Sequence, residues 1–287
     1  MAKGSLPKLV IFGDPQKGNV SAAIEEFTDF TKGKAEIVAN CGIDKCAVGI
    51  LKEADFAVVF GGDGSITSAA RQLSQMNVPV IGVNLGKLGF LAEFSVGELK
   101  EFFPRLTSGK ATIEKRMMLS CRVLNDGTEK FCSAAINDVF ITAGPPFRMI
   151  ELKISVDGQP LAGCVSDGLV ICTPTGSTAY NLSAGGPILS GKMEAMVITP
   201  LCPHSLSFRP IVINDDSKVE VFGVCVNEGT TVSIDGQVSC NLSLDDVVRI
   251  ERHKGDFLVV NNPLRTHWDT LATKLSWAEK PKYKIDK

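Results

Sequence analysis

The apolar run Phe56-Ala57-Val58-Val59-Phe60 leads directly into Gly61-Gly62-Asp63-Gly64-Ser65, and Ile66 to Met76 follows with helical spacing. A short continuous apolar run of this kind reads as a buried parallel strand, so the glycines and the carboxylate stand at a strand-to-helix turn. Glycine lets the backbone approach a ligand closely, and the N–H groups at a helix N-terminus favour an anion. Ligands of open α/β sheets sit at the carboxyl ends of the strands, which is this location. Gly61, Gly62, Gly64 and Ser65 are therefore candidate phosphate-binding residues. Asp63 is out of place in a pure phosphate cradle, because a carboxylate repels phosphate. It fits a site where it accepts a proton from a hydroxyl, or binds a cation, beside that phosphate. The plainer alternative is a tight turn with an Asp cap.

Around this turn the first hundred residues alternate strand and helix. Lys8–Phe12, Ala35–Ala39, Phe56–Phe60 and Val78–Val83 read as strands. Val20, Ala23, Ile24, Phe27 and Phe30 recur at helical spacing, with Ser21 or Asn19 as candidate caps. Cys46–Ala54 reads as a short helix, and Ser95-Val96-Gly97-Glu98 matches a capping box opening a helix to about Leu106. Such alternation implies a parallel sheet covered on both faces. After about Thr107 the texture changes to short β-type runs, ending at Phe257–Val260, with turn signals such as Asn125-Asp126-Gly127 and Asp157-Gly158 between them. Trp268, Leu271 and Leu275 suggest a closing helix packed back on the body, and Lys280–Lys287 a frayed tail. The expected organisation is an α/β domain over residues 1–106, an antiparallel, sandwich-like β domain over 107–265, and a closing helix and tail over 266–287.

With 287 residues the chain is long enough for two domains. Its formal net charge of −2 gives no reason to expect nucleic acid or an anionic membrane as partner. No apolar run reaches the ~18 residues of a spanning helix. The nine cysteines show no C-x-x-C pair, and several, among them Cys164, Cys172 and Cys225, lie in strand-like apolar runs. They read as reduced, mostly buried thiols of a cytoplasmic protein. The three histidines are far apart in sequence, so no zinc spacing is visible.

Two further stretches carry polar groups where apolar ones would be expected. In Leu169–Cys172 followed by Thr173-Pro174-Thr175-Gly176-Ser177-Thr178-Ala179-Tyr180-Asn181-Leu182-Ser183, a strand runs into a turn dense in hydroxyls. Hydroxyls and amides there suit a phosphate- or sugar-bearing ligand, and Tyr180 could stack on a base; a Ser/Thr-rich capped turn is the alternative. No G-x-S-x-G elbow surrounds Ser177, which argues against a serine nucleophile. In Ala134-Ala135-Ile136-Asn137-Asp138-Val139, an Asn-Asp pair interrupts an apolar strand without the glycine that a hairpin turn would bring. Side chains of this type suit ribose hydroxyls or an adenine edge. Asp235-Gly236-Gln237 reads as a β-turn.

Taken in order, Gly61-Gly62-Asp63-Gly64-Ser65, Asn137-Asp138, Asp167-Gly168, the Thr173–Tyr180 stretch with Ser183-Ala184-Gly185-Gly186-Pro187, and Asp235-Gly236-Gln237 resemble the motifs of NAD kinases. Asn84-Leu85-Gly86-Lys87-Leu88-Gly89-Phe90, Arg209-Pro210 and Lys274-Leu275-Ser276-Trp277 extend the resemblance from about Val58 to Trp277. Phosphofructokinases and diacylglycerol-type lipid kinases share the Gly-Gly-Asp-Gly turn, whereas the Thr-Pro-Thr-Gly-Ser-Thr-Ala-Tyr stretch is specific. The resemblance implies transfer of a phosphoryl group from ATP, or from polyphosphate, to the 2′-hydroxyl of the adenosine ribose of NAD, accompanied by a divalent cation, usually Mg²⁺. It implies Asp63 as catalytic base. It also implies that Asp63, Gly64, Asn137, Asp138, Arg148, Asp167, Thr178, Ala179, Tyr180, Asn181, Leu182 and Ser183 bind NAD, with Gln237 nearby. A homodimer or homotetramer is expected. Some members carry a basic residue two positions before the Asp matched to Asp167; Val165 stands there, which leaves open a charge contact at that point and the choice between NAD and NADH. A lipid kinase of the same fold group and a catalytically silent dinucleotide sensor are the alternatives.

Overall fold

The structure, a computed structural model, describes residues 6–43, 46–86 and 89–276. The chain divides into two compact units. One comprises Met1–Ala69, Val78–Glu114 and Val259–Lys287, and the other Ala70–Asn77 and Lys115–Leu258.

In the first unit β1 (Lys8–Gly13), α1 (Gly18–Thr31), β2 (Glu36–Cys41), α2 (Val48–Leu51), β3 (Phe56–Phe60), α3 (Asp63–Leu73), β4 (Val80–Val83), α4 (Val96–Thr107) and β5 (Ile113–Arg116) follow in order. α3 starts here, and its last turn belongs to the second unit. β1 pairs in parallel with β2 and β3, and β3 with β4. All five residues of β3 are buried, as a strand covered on both faces requires. α1 buries Val20, Ala23, Ile24 and Phe27, one stripe of a 3.6-residue period. Its expected caps do not act: the helix starts after Lys17 with no side-chain cap, and the Ser21 hydroxyl donates to the Pro15 carbonyl at 3.1 Å. The capping box at Ser95 forms as expected, with Glu98 accepting from the Ser95 N–H at 2.7 Å. Phe27, Phe60, Phe94 and Leu99 meet in the core of this unit.

The second unit is antiparallel. β6 (Leu119–Asn125), β7 (Thr128–Ala135), β8 (Asp138–Thr142), β9 (Ile150–Val156), β10 (Gln159–Ser166), β11 (Gly168–Cys172), α5 (Tyr180–Ser183), β12 (Ala195–Leu201), β13 (Ile211–Asn214), β14 (Val219–Cys225), β15 (Thr231–Ile234), β16 (Val238–Asn241) and β17 (Asp246–Arg252) build two six-stranded sheets. Their orders are β10-β9-β14-β17-β6-β7 and β13-β12-β11-β8-β15-β16. Leu169 and Ile171 of β11 enter one core with Leu152, Val221 and Ile250 of the other sheet, while Val170 and Cys172 enter a second cluster with Val197. This is the two-residue period of a strand buried on both faces, and each such side chain contributes roughly 1.5–3 kcal/mol on burial.

Several expectations are corrected. β18 (Phe257–Val260), read as part of the β domain, joins the sheet of the first unit beside β4, in the order β2-β1-β3-β4-β18-β5. The closing helix α6 (His267–Leu275) buries Leu271 but leaves Trp268 65% exposed, so one side only of the expected apolar stripe packs. Cys41 and Cys46 form a disulfide, with Cα atoms 5.4 Å apart, because Cys41 ends β2 and Cys46 returns beside it just before α2. Of the free thiols Cys121, Cys164 and Cys172 are buried, but Cys132, Cys202 and Cys225 are exposed. Cys225 is the last residue of its strand. Among the described residues no helix is long and apolar enough to cross a membrane. The tail Lys280–Lys287, Trp277, Lys87 and Leu88 lie outside the described residues.

Candidate active site

In the first unit Asp63 is the first residue of α3, at the carboxyl end of β3, where the sequence puts it. Its carboxylate does more than cap the helix. Oδ2 accepts the Phe90 N–H at 2.9 Å, and Oδ1 accepts those of Leu91 at 2.9 Å and Ala92 at 3.2 Å. The loop after β4 is thus wrapped around the carboxylate. Gly89 makes this approach possible, since a Cβ there would lie 2.0 Å from Asp63 Oδ1. From α6, Lys274 Nζ reaches Asp63 Oδ2 at 3.4 Å and sits 4.4 Å from the centre of the Phe90 ring. Nothing in the local sequence around Asp63 announces Lys274 or the Phe90–Ala92 amides; the glycine-bearing loop was the only signal for the latter. Gly62 and Gly64 are exposed in this turn, and the Ser65 N–H closes it on the Gly62 carbonyl at 3.0 Å.

In the second unit Asn137 and Asp138 stand where the chain leaves β7 in one sheet and enters β8 in the other. That change of sheet explains an interruption without a hairpin glycine. Their backbone is held from two sides. The Asn137 carbonyl accepts the Thr173 N–H at 2.8 Å, and the Thr173 hydroxyl donates to the Ile136 carbonyl. On the other side the buried Asp235 carboxylate accepts the N–H groups of Ile136, Asn137 and Asp138 at 3.2, 2.8 and 3.2 Å. Gly176 packs against the Asn137 carbonyl so closely that a Cβ would come within 2.0 Å of its oxygen. From sequence Asp235 reads as the start of a β-turn within a family motif; its anchoring of this backbone comes from the fold.

The hydroxyl-rich turn serves largely to shape this site. Thr173 and Ser177 are fully buried. Ser177 Oγ donates to the Pro174 carbonyl at 2.6 Å and accepts the Leu189 N–H at 3.0 Å. Asn181, also fully buried, donates to the Ser177 and Pro187 carbonyls at 3.1 Å each and accepts from Thr199 at 2.7 Å. Gly176–Thr178 forms a 3₁₀ turn, and α5 follows it. Tyr180 is 38% exposed and stands at a steep angle to the Phe140 ring, with ring centres 5.0 Å apart. Ser183, Asp167, Arg148 and Gln237 are exposed, and Ala179 and Leu182 are half-buried.

Burial first, and then the neighbouring Asp235 carboxylate, push the Asp138 carboxyl up to about 7, against the Tyr180 N–H that favours the anion. Asp235 is pushed up by burial as well, opposed by the three amides and by Arg71, whose Nη1 lies 3.5 Å from Oδ2. The guanidinium and the three donors around Asp235 favour its anion, against the burial that raises it.

A family model described as the ATP-NAD kinase C-terminal domain matches residues 136–262, and one described as the ATP-NAD kinase N-terminal domain matches residues 44–111. The chain belongs to the NAD kinase family. It is 36% identical over 275 residues to the NAD kinase of Rhodopirellula baltica, covering 96% of this chain and 88% of that one. To the NAD kinase of Syntrophotalea carbinolica it is 41% identical over 226 residues, 79% of each chain. A crystal structure of yeast NADH kinase complexed with NADH superposes with a TM-score of 0.86 at 25% identity, covering 99% of this chain and 91% of the yeast one. The function is that of an NAD kinase, an enzyme that phosphorylates the 2′-hydroxyl of the adenosine ribose of NAD to give NADP. Lipid-kinase and silent-sensor readings are set aside by these matches. Asp63 and the Phe90–Ala92 loop lie within the residues matched to the N-terminal model, Asn137, Asp138 and Asp235 within those matched to the C-terminal one.

Proposed function

We propose that Asp63 is the base of this NAD kinase, that ATP is the phosphoryl donor, and that the Asn137-Asp138 pair with the Thr178–Ser183 segment, Arg148, Asp167 and Gln237 holds NAD. The observation that carries the reading is the Asp63 carboxylate fixed by three amides at the head of α3. A ribose hydroxyl is a poor nucleophile at neutral pH. As its oxygen forms the new P–O bond and the bond from the γ-phosphorus to the β–γ bridging oxygen breaks, its proton passes to Asp63 Oδ2, and ADP leaves with the bridging electron pair. Oδ2 carries one amide and the longer contact from Lys274, so its acceptor capacity is less taken up than that of Oδ1. The Gly61, Gly62, Gly64 and Ser65 turn receives the phosphate being transferred, and Lys274 offsets its charge. ATP as donor is supported by the family description, and a dinucleotide as acceptor by the NADH that the yeast kinase was solved with.

The family implies a divalent cation, Mg²⁺. Among the described residues no group of three or more His, Cys, Asp or Glu is placed to hold a metal, and the Asp63 oxygens are engaged by amides. The residues do not fit a resident metal cage, and no step here runs through one; a cation carried on the donor's own phosphates needs none. A homodimer or homotetramer completes the reading, on the family resemblance alone.

Incubation with ATP, Mg²⁺ and NAD, with NADP detected by an NADP-specific dehydrogenase, tests the donor and acceptor. NADP formation from polyphosphate but not from ATP would overturn the donor assignment. Turnover of NADH in preference to NAD would overturn the acceptor.

A further inference from the structure

Asp235 lies outside the expected binding residues, yet its carboxylate touches the Asn137-Asp138 backbone. Its side chain has no exposed surface, while its backbone turns at φ 50° ahead of Gly236 at φ 65° between β15 and β16. That is the geometry of a type I′ hairpin, for which Asn-Gly serves as well as Asp-Gly. Turn chemistry alone therefore gives no reason for a buried carboxylate. The contacts do. One carboxylate receives three successive amides, Ile136 on Oδ2 and Asn137 and Asp138 on Oδ1. The Asp235 N–H completes the clamp on the Asp138 carbonyl at 2.9 Å. Arg71, 15% exposed, reaches the same carboxylate and donates from Nη2 to Gln237 Oε1 at 2.5 Å.

We infer that Asp235 and Arg71 form a positioning pair, in which the Asp235 carboxylate sets the direction of the Asn137 and Asp138 side chains and Arg71 holds that carboxylate and Gln237 in register. The inference rests on the assignment of Asn137 and Asp138 to NAD. An anion is required because all three donors converge on two oxygens. In Asp235→Asn, the amide nitrogen must face either the Ile136 N–H or the pair from Asn137 and Asp138, so donor meets donor and the segment shifts. Displacements of this size cost up to about 10²-fold when they occur away from the reacting atoms.

The test compares wild-type enzyme, Asn137→Ala, Asp235→Asn, Arg71→Met and Arg71→Lys by NAD affinity in calorimetry, KM for NAD and for ATP, kcat and melting temperature. Asp235→Asn is expected to weaken NAD binding roughly tenfold or more while KM for ATP stays within about twofold. Arg71→Met should do the same to a smaller extent, and Arg71→Lys, which keeps the charge, should recover part of the loss. A folded Asp235→Asn protein with wild-type NAD affinity overturns the inference, as does an equal loss for both substrates or a lowered melting temperature with NAD affinity unchanged. If Asp235→Asn does not fold, Arg71→Met decides, and unchanged NAD affinity there overturns it. Unchanged NAD affinity in Asn137→Ala instead removes the underlying assignment of the site, a separate failure.

Discussion

The Leu91 N–H points at Asp63 Oδ1 at 2.9 Å, so the residue expected to act on the ribose hydroxyl also anchors the loop that follows β4. A general base is worth typically 10²–10⁴-fold in rate. Asp63→Asn retains an oxygen for Leu91 and Ala92 but turns an amide nitrogen toward the Phe90 N–H, leaving a donor unsatisfied at a cost of about 1–3 kcal/mol. The expected result is a fall in kcat in that range with little change in NAD affinity by calorimetry, together with a small fall in melting temperature. A mere helix cap forecasts otherwise, since Asn caps as well as Asp; near-normal kcat would sink the catalytic role.

Gly89→Ala tests the anchor from the other side. Its Cβ would lie 2.0 Å from Asp63 Oδ1, so the loop or the carboxylate must move. The variant should lose activity by at least tenfold, as displaced catalytic groups do, and its melting temperature should fall. Wild-type kcat in Gly89→Ala would show that the position of the carboxylate is not critical.

Lys274 contacts the carboxylate from α6. Lys274→Ala should raise KM for ATP and lower kcat, while Lys274→Arg retains part of both. An effect confined to NAD affinity would contradict its assignment to the phosphoryl group.

Asp138 gives a pH dependence with a defined sign. Its folded-state pKa, about 7, lies above the ordinary carboxyl value of 3.8, so the native state binds more protons between these limits. Stability is therefore highest at the acid end and falls as pH rises from about 4 to about 7 on account of this group. Asp138→Asn removes the term, and its melting temperature relative to wild type should rise between pH 5 and pH 8. A constant difference across that range would refute the burial argument. Replacing both Asn137 and Asp138 with Ala should raise KM for NAD strongly with the fold intact, and wild-type kinetics would show the assignment wrong.

The Cys41–Cys46 disulfide closes a loop five residues apart in sequence, a short loop whose constraint contributes about 2 kcal/mol. Reduction should lower the melting temperature modestly and leave NAD affinity unchanged. The remaining thiols should be dispensable; burial pushes that of Cys121 up to about 12, which keeps it protonated. Loss of activity on reduction with no change in stability would show a role for the thiols that their placement does not suggest.

The elements that the sequence alone determined are those whose cause is local. β3 was legible because five apolar residues precede a glycine turn, α4 because Ser95 and Glu98 cap each other across one turn, and α1 because its apolar residues recur at helical spacing. The specific motifs identified the family and nominated Asp63, Asn137 and Asp138 as candidate site residues. Tertiary structure alone decided the rest, because it depends on pairings between distant segments. β18 joins the parallel sheet through Val259 and Val80, a register that no local pattern encodes. Asp63 meets the amides of residues 27 to 29 positions away, and Asp235 those of residues 97 to 99 positions away. The chemistry of a carboxylate is local, but its partners, its burial and hence its charge are set by whatever the fold brings to its oxygens.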